Sequence, residues 1–330
     1  MDKLKVGIIG VGHLGKLHTK MFSGIKNCEL IGIYDIDLSN AHSVGDELKV
    51  KVFESEESLL NVVNAASVAV TTSAHYEVAK RCLERGIHIF IEKPITSTIT
   101  EAETLVKLAS DKKLTLQVGH IERFNPALVS LEKYIINPLF IQSDRLSQFN
   151  PRGTDVAVVL DLMIHDIDVI LSLIKSEVKR IDANGVPVVS DNVDIANARI
   201  QFENGAVANV TASRISQKKM RKMRIWQRDN YIALDFVTGA SEMYRLLPLG
   251  ENISAGVPFG EIGVGGNKKK LFYEQPETKE INALSYELEL FINAVINKTR
   301  PVVSGEDGLR ALTVADDIIK KIEESKLRMG

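Results

Sequence analysis

A strand that runs straight into a glycine-rich turn and then a helix admits few folds. Lys5–Ile9 is a short apolar strand, Gly10-Val-Gly-His-Leu-Gly15 follows at once, and Lys16–Phe22 continues with helical periodicity. A second apolar strand, Leu30–Tyr34, ends in Asp35, about twenty residues beyond the turn. This is the G-x-G-x-x-G arrangement that holds a dinucleotide. Gly10 makes the tight turn, Gly12 lets the backbone approach a pyrophosphate, and Gly15 lets the helix pack closely on the strand. The helix N-terminus presents unpaired N–H groups and the positive end of its dipole to the phosphates. His13 and Leu14 lie inside the turn and are expected to touch the cofactor together with Gly10, Gly12 and Gly15. Asp35 can accept hydrogen bonds from a ribose diol and would repel a 2′-phosphate, which favours NAD over NADP; Asp37 adds negative charge there. The plainer alternative is a glycine turn with no ligand. Strand, helix and acid in register weigh against it.

The alternation continues. Val50–Phe53 reads as a strand, Ser55–Ala65 as a helix, Val68–Thr72 as a strand and His75–Arg85 as a helix stopped by Gly86. Ile87–Ile91 then reads as a buried strand, Thr100–Asp111 as a helix and Leu114–Val118 as a strand. Such alternation gives a parallel sheet with right-handed crossovers, and ligands bind at the carboxyl ends of its strands. Thr71, Thr72, His75, Glu92, Lys93 and His120 all fall just past strand ends, on the expected cofactor rim. Pro94 keeps Lys93 out of helical geometry, so the lysine can be held at a reaction centre.

Gly119–Pro126 reads as the crossover into a second domain, and 330 residues are long for one core, so residues 1–122 and 123–330 are expected to fold separately. Ala127–Tyr134 reads as a helix, Ile141–Phe149 as a strand and Asn150–Thr154 as a loop. Val156–Ile174 follows as a long apolar helix carrying Asp161, His165, Asp166 and Asp168. Asp161 and His165 are four apart, which puts them on one face of an α-helix. By themselves they fit a structural pair, a catalytic pair or two ligands of a metal. A metal is disfavoured because no Cys/His cluster supplies the remaining ligands. From Ile181 the pattern turns to strands: Val193–Phe202 and Ala206–Ala212 flank Asn204-Gly205, and Arg224–Gln227 and Tyr231–Val237 follow. Gly239–Lys270 reads as extended and partly mobile, and Asn282–Asn297 and Glu306–Ser325 as helices. The antiparallel sheet needs a cover for its apolar face, and a second copy of the chain would supply one. The basic run Lys218–Arg224 is either a solvated strand face or subunit contact, or a site for an anionic substrate or partner.

Composition narrows the partners. A net charge of −2 gives no pull toward nucleic acid or anionic membranes. No apolar run approaches the roughly 18 residues of a membrane-spanning helix. Cys28 and Cys82 suggest buried thiols rather than a disulfide framework. With no signal-peptide pattern at the N-terminus, the expected location is the cytoplasm.

Taken in order, Gly10–Gly15, Glu92-Lys93-Pro94, Gly119-His120 with Arg123-Phe-Asn-Pro126, and Asp161-Leu-Met-Ile-His165-Asp-Ile-Asp168 resemble the Gfo/Idh/MocA family of nicotinamide-dependent sugar oxidoreductases. Glu287–Phe291 and Gly305–Gly308 match family features near the C-terminus, so the resemblance covers nearly the whole chain. Thr71-Thr-Ser73 departs from it, because many members place a proline after the threonine. The resemblance implies an α/β Rossmann domain plus an α+β domain with an open, predominantly antiparallel sheet. That sheet commonly forms the subunit interface, implying a homodimer or homotetramer through it. It implies Lys93 as the catalytic lysine, Asp161 as its acidic partner and His165 as the proton acceptor, with no metal. His120, Arg123, Asn125 and Arg214, beside Lys93, Asp161 and His165, are the expected sugar or phosphate contacts. The stretches His120–Pro126 and Leu162–His165 are most similar to members that oxidise C3 of UDP-N-acetylglucosamine. A dehydrogenase of a free sugar or inositol is the alternative. A non-catalytic NAD-binding regulator is a further one, and retention of Lys93, Asp161 and His165 together argues against it.

Overall fold

The computed structural model describes residues 3–150, 156–251, 256–278 and 280–326; of the expected loop Asn150–Thr154, all but Asn150 lies outside them. The chain divides into two compact units, Met1–Ile121 with Asn282–Thr313, and Glu122–Ile281 with Val314–Gly330.

The first unit is built on β1 (Leu4–Ile9), α1 (His13–Phe22), β2 (Cys28–Tyr34), α2 (Leu38–Leu48), α3 (Glu56–Leu60), β3 (Ala65–Val68), α4 (Thr72–Glu84), β4 (His88–Glu92), α5 (Ile99–Lys112) and β5 (Leu116–Gly119). The five strands form an all-parallel sheet in the order β2-β1-β3-β4-β5. Its core gathers Val6, Ile8, Ile33, Ala65 and Phe90 against Phe22 of α1. Several expected boundaries move. The helix expected over Ser55–Ala65 stops at Leu60, and the strand expected at Val68–Thr72 is Ala65–Val68. The small side chains of Ala65, Ala66 and Ser67 gave little strand signal, whereas Val68-Ala-Val70 prolonged an apparent one. Val50–Phe53 pairs only through a single bridge, Ile33 with Val52.

The second unit holds α6 (Pro126–Val129), β6 (Phe140–Leu146), α7 (Ile164–Leu173), β7 (Val178–Val186), β8 (Ile195–Phe202), β9 (Val207–Ser213), β10 (Met220–Gln227), β11 (Asn230–Asp235), β12 (Ala240–Pro248), β13 (Val257–Ile262) and β14 (Lys269–Glu274). These nine strands form one open sheet, β13-β14-β12-β11-β10-β6-β9-β8-β7, antiparallel except where β6 meets β9. The stretch Gly239–Lys270, expected to be loose, therefore supplies β12, β13 and the first residues of β14. One sheet face is buried through Ile141, Ile225, Ile232 and Met243. The opposite face carries a row of rings, Phe140, Trp226, Tyr231, Tyr244 and Tyr273, each 5.2–5.7 Å from the next across paired strands. Phe259 extends the row at 5.9 Å from Tyr244. The basic run lies at the start of β10, where Arg221, Lys222 and Arg224 meet Glu122, Asp235 and Asp144 at 3.2, 3.6 and 3.6 Å.

Two helices close the chain, α8 (Ala283–Asn297) and α9 (Gly305–Lys326). Of the stretch 123–330, Asn282–Thr313 groups with the N-terminal sheet. The physical reason is the apolar face of α8: Leu288, Phe291, Ile292 and Val295 share the core of Val6, Ile8 and Phe90.

Candidate functional site

The glycine turn has the shape a dinucleotide needs. Gly10 has φ +85°, a left-handed conformation that favours glycine. A Cβ on Gly15 would lie 1.9 Å from the Gly10 carbonyl oxygen, so only glycine lets α1 start this close to the turn. Gly12 is the N-cap of α1 and makes no side-chain cap, and a Cβ there would meet nothing within 4 Å. The first N–H groups of a helix lack intrahelical partners, so its N-terminus favours an anion. His13 and Leu14 are exposed beside it. Asp35, at the end of β2, accepts the Val11 N–H at 2.7 Å and the Asp37 N–H at 3.0 Å. Its carboxylate is thereby fixed against the turn. The residues present fit a dinucleotide.

The other expected rim residues of this unit divide into two groups. Thr71 is the exposed N-cap of α4, Thr72 is that helix's first residue, and Lys93 is half-buried just past β4. His75, in contrast, faces inward and is 1% exposed. Its Nδ1 lies 2.9 Å from the Pro94 carbonyl and its Nε2 3.3 Å from that of Val70. The ring lies between the loops after β3 and β4, and burial holds its pKa below the ordinary 6.5. His120 is also buried. Glu92 is buried with a carboxylate that accepts the Lys93 N–H at 3.3 Å. Burial alone would raise its pKa; contacts with His18 and the charge of Lys93 outweigh this and lower it.

In the second unit Asp161 and His165 are both half-buried, but the expected spacing argument changes. Val159–Met163 is wound as a π-helix, and α7 begins only at Ile164. The four-residue rule for a shared face applies to an α-helix and not across this stretch; π segments of this kind recur at functional sites. Flanking residues are locked by ion pairs. Arg123 grips Asp168 with two hydrogen bonds of 2.6 and 2.8 Å. Arg145, 2% exposed, sits between Asp166 and Glu122; burial works against its charge, and those two carboxylates outweigh it. Asp166 and Asp168 thus fix α7 on both sides of His165's turn. Asn125 caps α6 by accepting the Ala127 N–H at 3.1 Å, and it donates to the Phe236 carbonyl at 3.0 Å. Arg214 is 3% exposed and donates to the Val193 carbonyl at 3.2 Å. The polar groups of Arg123, Asn125 and Arg214 described here serve the fold. His18, which belongs to none of the motifs above, contacts Glu92. The available signal was its place on the buried face of α1 with Gly15, Thr19 and Phe22.

A glycine turn of this geometry on a parallel sheet defines a dinucleotide-binding domain. Residues 4–120 match the oxidoreductase family with an NAD-binding Rossmann fold, and residues 141–230 match the GFO/IDH/MocA C-terminal domain. A UDP-N-acetylglucosamine 3-dehydrogenase from Acidithiobacillus ferrooxidans is 35% identical over 98% of both chains. Its solved structure superposes with a TM-score of 0.87 at 33% identity, covering 98% of this chain and 99% of that one. An inositol 2-dehydrogenase from Rhizobium meliloti is 23% identical over 98% of both chains. A levoglucosan dehydrogenase, solved with NADH and L-sorbose, shares the fold with a TM-score of 0.84 at 18% identity over 98% of each chain. The chain belongs to the GFO/IDH/MocA family of oxidoreductases and is an NAD(H)-dependent dehydrogenase acting on a CH–OH group.

Proposed function

We propose that this enzyme oxidises a secondary hydroxyl of a nucleotide sugar, C3 of UDP-N-acetylglucosamine, with NAD as the oxidant. The observation that carries this reading is the 35% identity, over 98% of both chains, to a dehydrogenase of that sugar. Identity to the inositol 2-dehydrogenase is 23%.

In this reading His165 takes the hydroxyl proton, a role suited to a side chain whose ordinary pKa is roughly 6.5. Asp161 holds the imidazole and favours its charged form after the transfer. Lys93 donates a hydrogen bond to the same oxygen as it gains negative charge and orients it. The nicotinamide supplies the hydride acceptor when bound. Asp35 selects NAD, since its carboxylate welcomes a ribose diol and repels a 2′-phosphate. Its 2.7 Å bond to the Val11 N–H supports this, because it holds the charge against the turn. A second copy covers the aromatic face of the sheet, giving a homodimer or homotetramer; the unbroken row from Phe140 to Tyr273 supports that.

The test is absorbance at 340 nm with NAD and a panel of UDP-sugars, free hexoses and inositols. Turnover is expected with UDP-N-acetylglucosamine. Turnover with inositol or a free hexose and none with UDP-sugars would overturn the substrate assignment.

A further inference from the structure

A buried polar chain runs from β3 through α1 to β4 and ends at Glu92, the residue before Lys93. His18 is 0% exposed, as is Ser67, and Glu92 is 9% exposed. The His18 Nδ1 lies 2.8 Å from the Ser67 hydroxyl, and its Nε2 lies 3.0 Å from Glu92 Oε1. Phe90 meets the His18 ring edge-on at 5.4 Å, which fixes the ring plane. Glu92 Oε2 accepts the Lys93 N–H at 3.3 Å. On the far side, Gly119 leaves room for the carboxylate: a Cβ there would come within 3.0 Å of it. Burying an imidazole and a carboxylate is costly unless both are partnered. Packing alone would be met more cheaply by apolar side chains. The chain instead keeps a negative charge buried next to the reacting lysine and anchors it on the helix that begins at the glycine turn.

We propose that His18, Ser67 and Glu92 are positioning residues for Lys93. A proton on His18 Nε2 faces Glu92, Nδ1 takes up the Ser67 hydroxyl, and the carboxylate so held keeps the Lys93 ammonium charged and aimed. This inference rests on the assignment of Lys93 to the reacting oxygen. The titratable groups acting on Glu92 are His18, Lys93 itself and, from α4, His75.

The test uses the full chain with Glu92→Gln, His18→Gln and Ser67→Ala. Trace labelling of Lys93 by an amine-reactive reagent, read by mass spectrometry across pH, needs no substrate. Losing the carboxylate removes a stabilising partner of the ammonium, so uptake at pH 8 should rise roughly threefold or more in Glu92→Gln. His18→Gln should move it in the same direction, and Ser67→Ala least. With UDP-N-acetylglucosamine, kcat of Glu92→Gln should fall about tenfold with KM and NADH affinity within about twofold, the mark of an interaction that strengthens in the transition state. A folded Glu92→Gln protein with the wild-type labelling profile overturns the proposal. If that variant does not fold, an unchanged profile in both His18→Gln and Ser67→Ala does so. Wild-type turnover in Lys93→Ala, with the labelling shift still present, would instead sink the catalytic reading of Lys93 and leave the chain's effect on it standing.

Discussion

Alanine at Gly12 and at Gly15 separates what the turn does for the fold from what it does for the ligand. A Cβ at Gly15 would stand 1.9 Å from the Gly10 carbonyl oxygen and 2.8 Å from its carbon. Real Cβ atoms stay beyond 3.0 Å, so α1 and the turn must part by about 1 Å. Overpacking of this kind costs about 1–3 kcal/mol, and the better helix propensity of alanine returns at most about 1 kcal/mol. At about 2–4 °C per kcal/mol for a domain of this size, a net loss of ~1–2 kcal/mol lowers Tm by roughly 2–8 °C. At Gly12 the backbone is extended, with φ −60°, and the added methyl meets nothing. The weaker N-cap and the smaller unfolded-state entropy are each worth under ~1 kcal/mol and oppose one another, so Tm should move by no more than about 2 °C. The methyl does enter the space at the turn that the second glycine of this motif leaves for close approach of a pyrophosphate. NADH affinity should therefore fall at least tenfold, about 1.4 kcal/mol. Thermal melts and NADH fluorescence titrations of wild type and both variants read these quantities. An unchanged NADH affinity in Gly12→Ala, or an unchanged Tm in Gly15→Ala, would refute the reasoning.

Four further outcomes are expected. His165→Ala should lose about 10²–10⁴-fold in turnover while still binding NADH, measured by steady-state kinetics beside a binding titration. Asp35→Ala should raise kcat/KM with NADP by about tenfold or more relative to NAD; a ratio that does not move would place cofactor choice elsewhere. Arg123→Ala leaves the buried Asp168 carboxylate without its two-pronged partner and should cost about 3–5 kcal/mol, read from urea midpoints. Acid should destabilise the protein in two stages. His75 is held below its ordinary 6.5 by burial, so the unfolded chain binds that proton first and stability falls as pH drops below 6.5. Glu92 is also lowered, and Asp194 is lowered to about 2, chiefly against burial by the backbone N–H groups of Val189, Val188 and Ser190. Their contribution is present at neutral pH and is lost as pH falls through the carboxylate range. Melts from pH 8 to 4 should show the first stage flattened in His75→Gln.

What the sequence makes legible here is local chemistry. The turn from Gly10 to Gly15, the acid at Asp35 and the lysine after β4 each announce themselves within a few residues, because backbone constraint and periodicity are short-range. Three features escape for the same reason. The strand Ala65–Val68 is made of small residues whose partners, not their own propensity, put them in the sheet. The π winding around Asp161 is invisible because an apolar helical pattern does not state its hydrogen-bond register. His18 gains its meaning from Ser67, 49 residues away, and from Glu92, still further along the chain. An amphipathic pattern likewise shows that α8 buries one face without saying which sheet receives it. The inward turn of His75 is not legible either, since a position just past a strand end does not tell which way the ring turns.

The ring row on the open sheet has a use beyond packing. The chain contains one tryptophan, Trp226, and it sits between Phe140 and Tyr231 in that row. Its emission colour depends on how much water reaches the indole, so the protein carries a built-in optical gauge of this face alone. Excitation at the red edge of the absorption band avoids the tyrosines beside it. Whatever covers or uncovers the sheet is then readable in the native chain, with no label and no substitution.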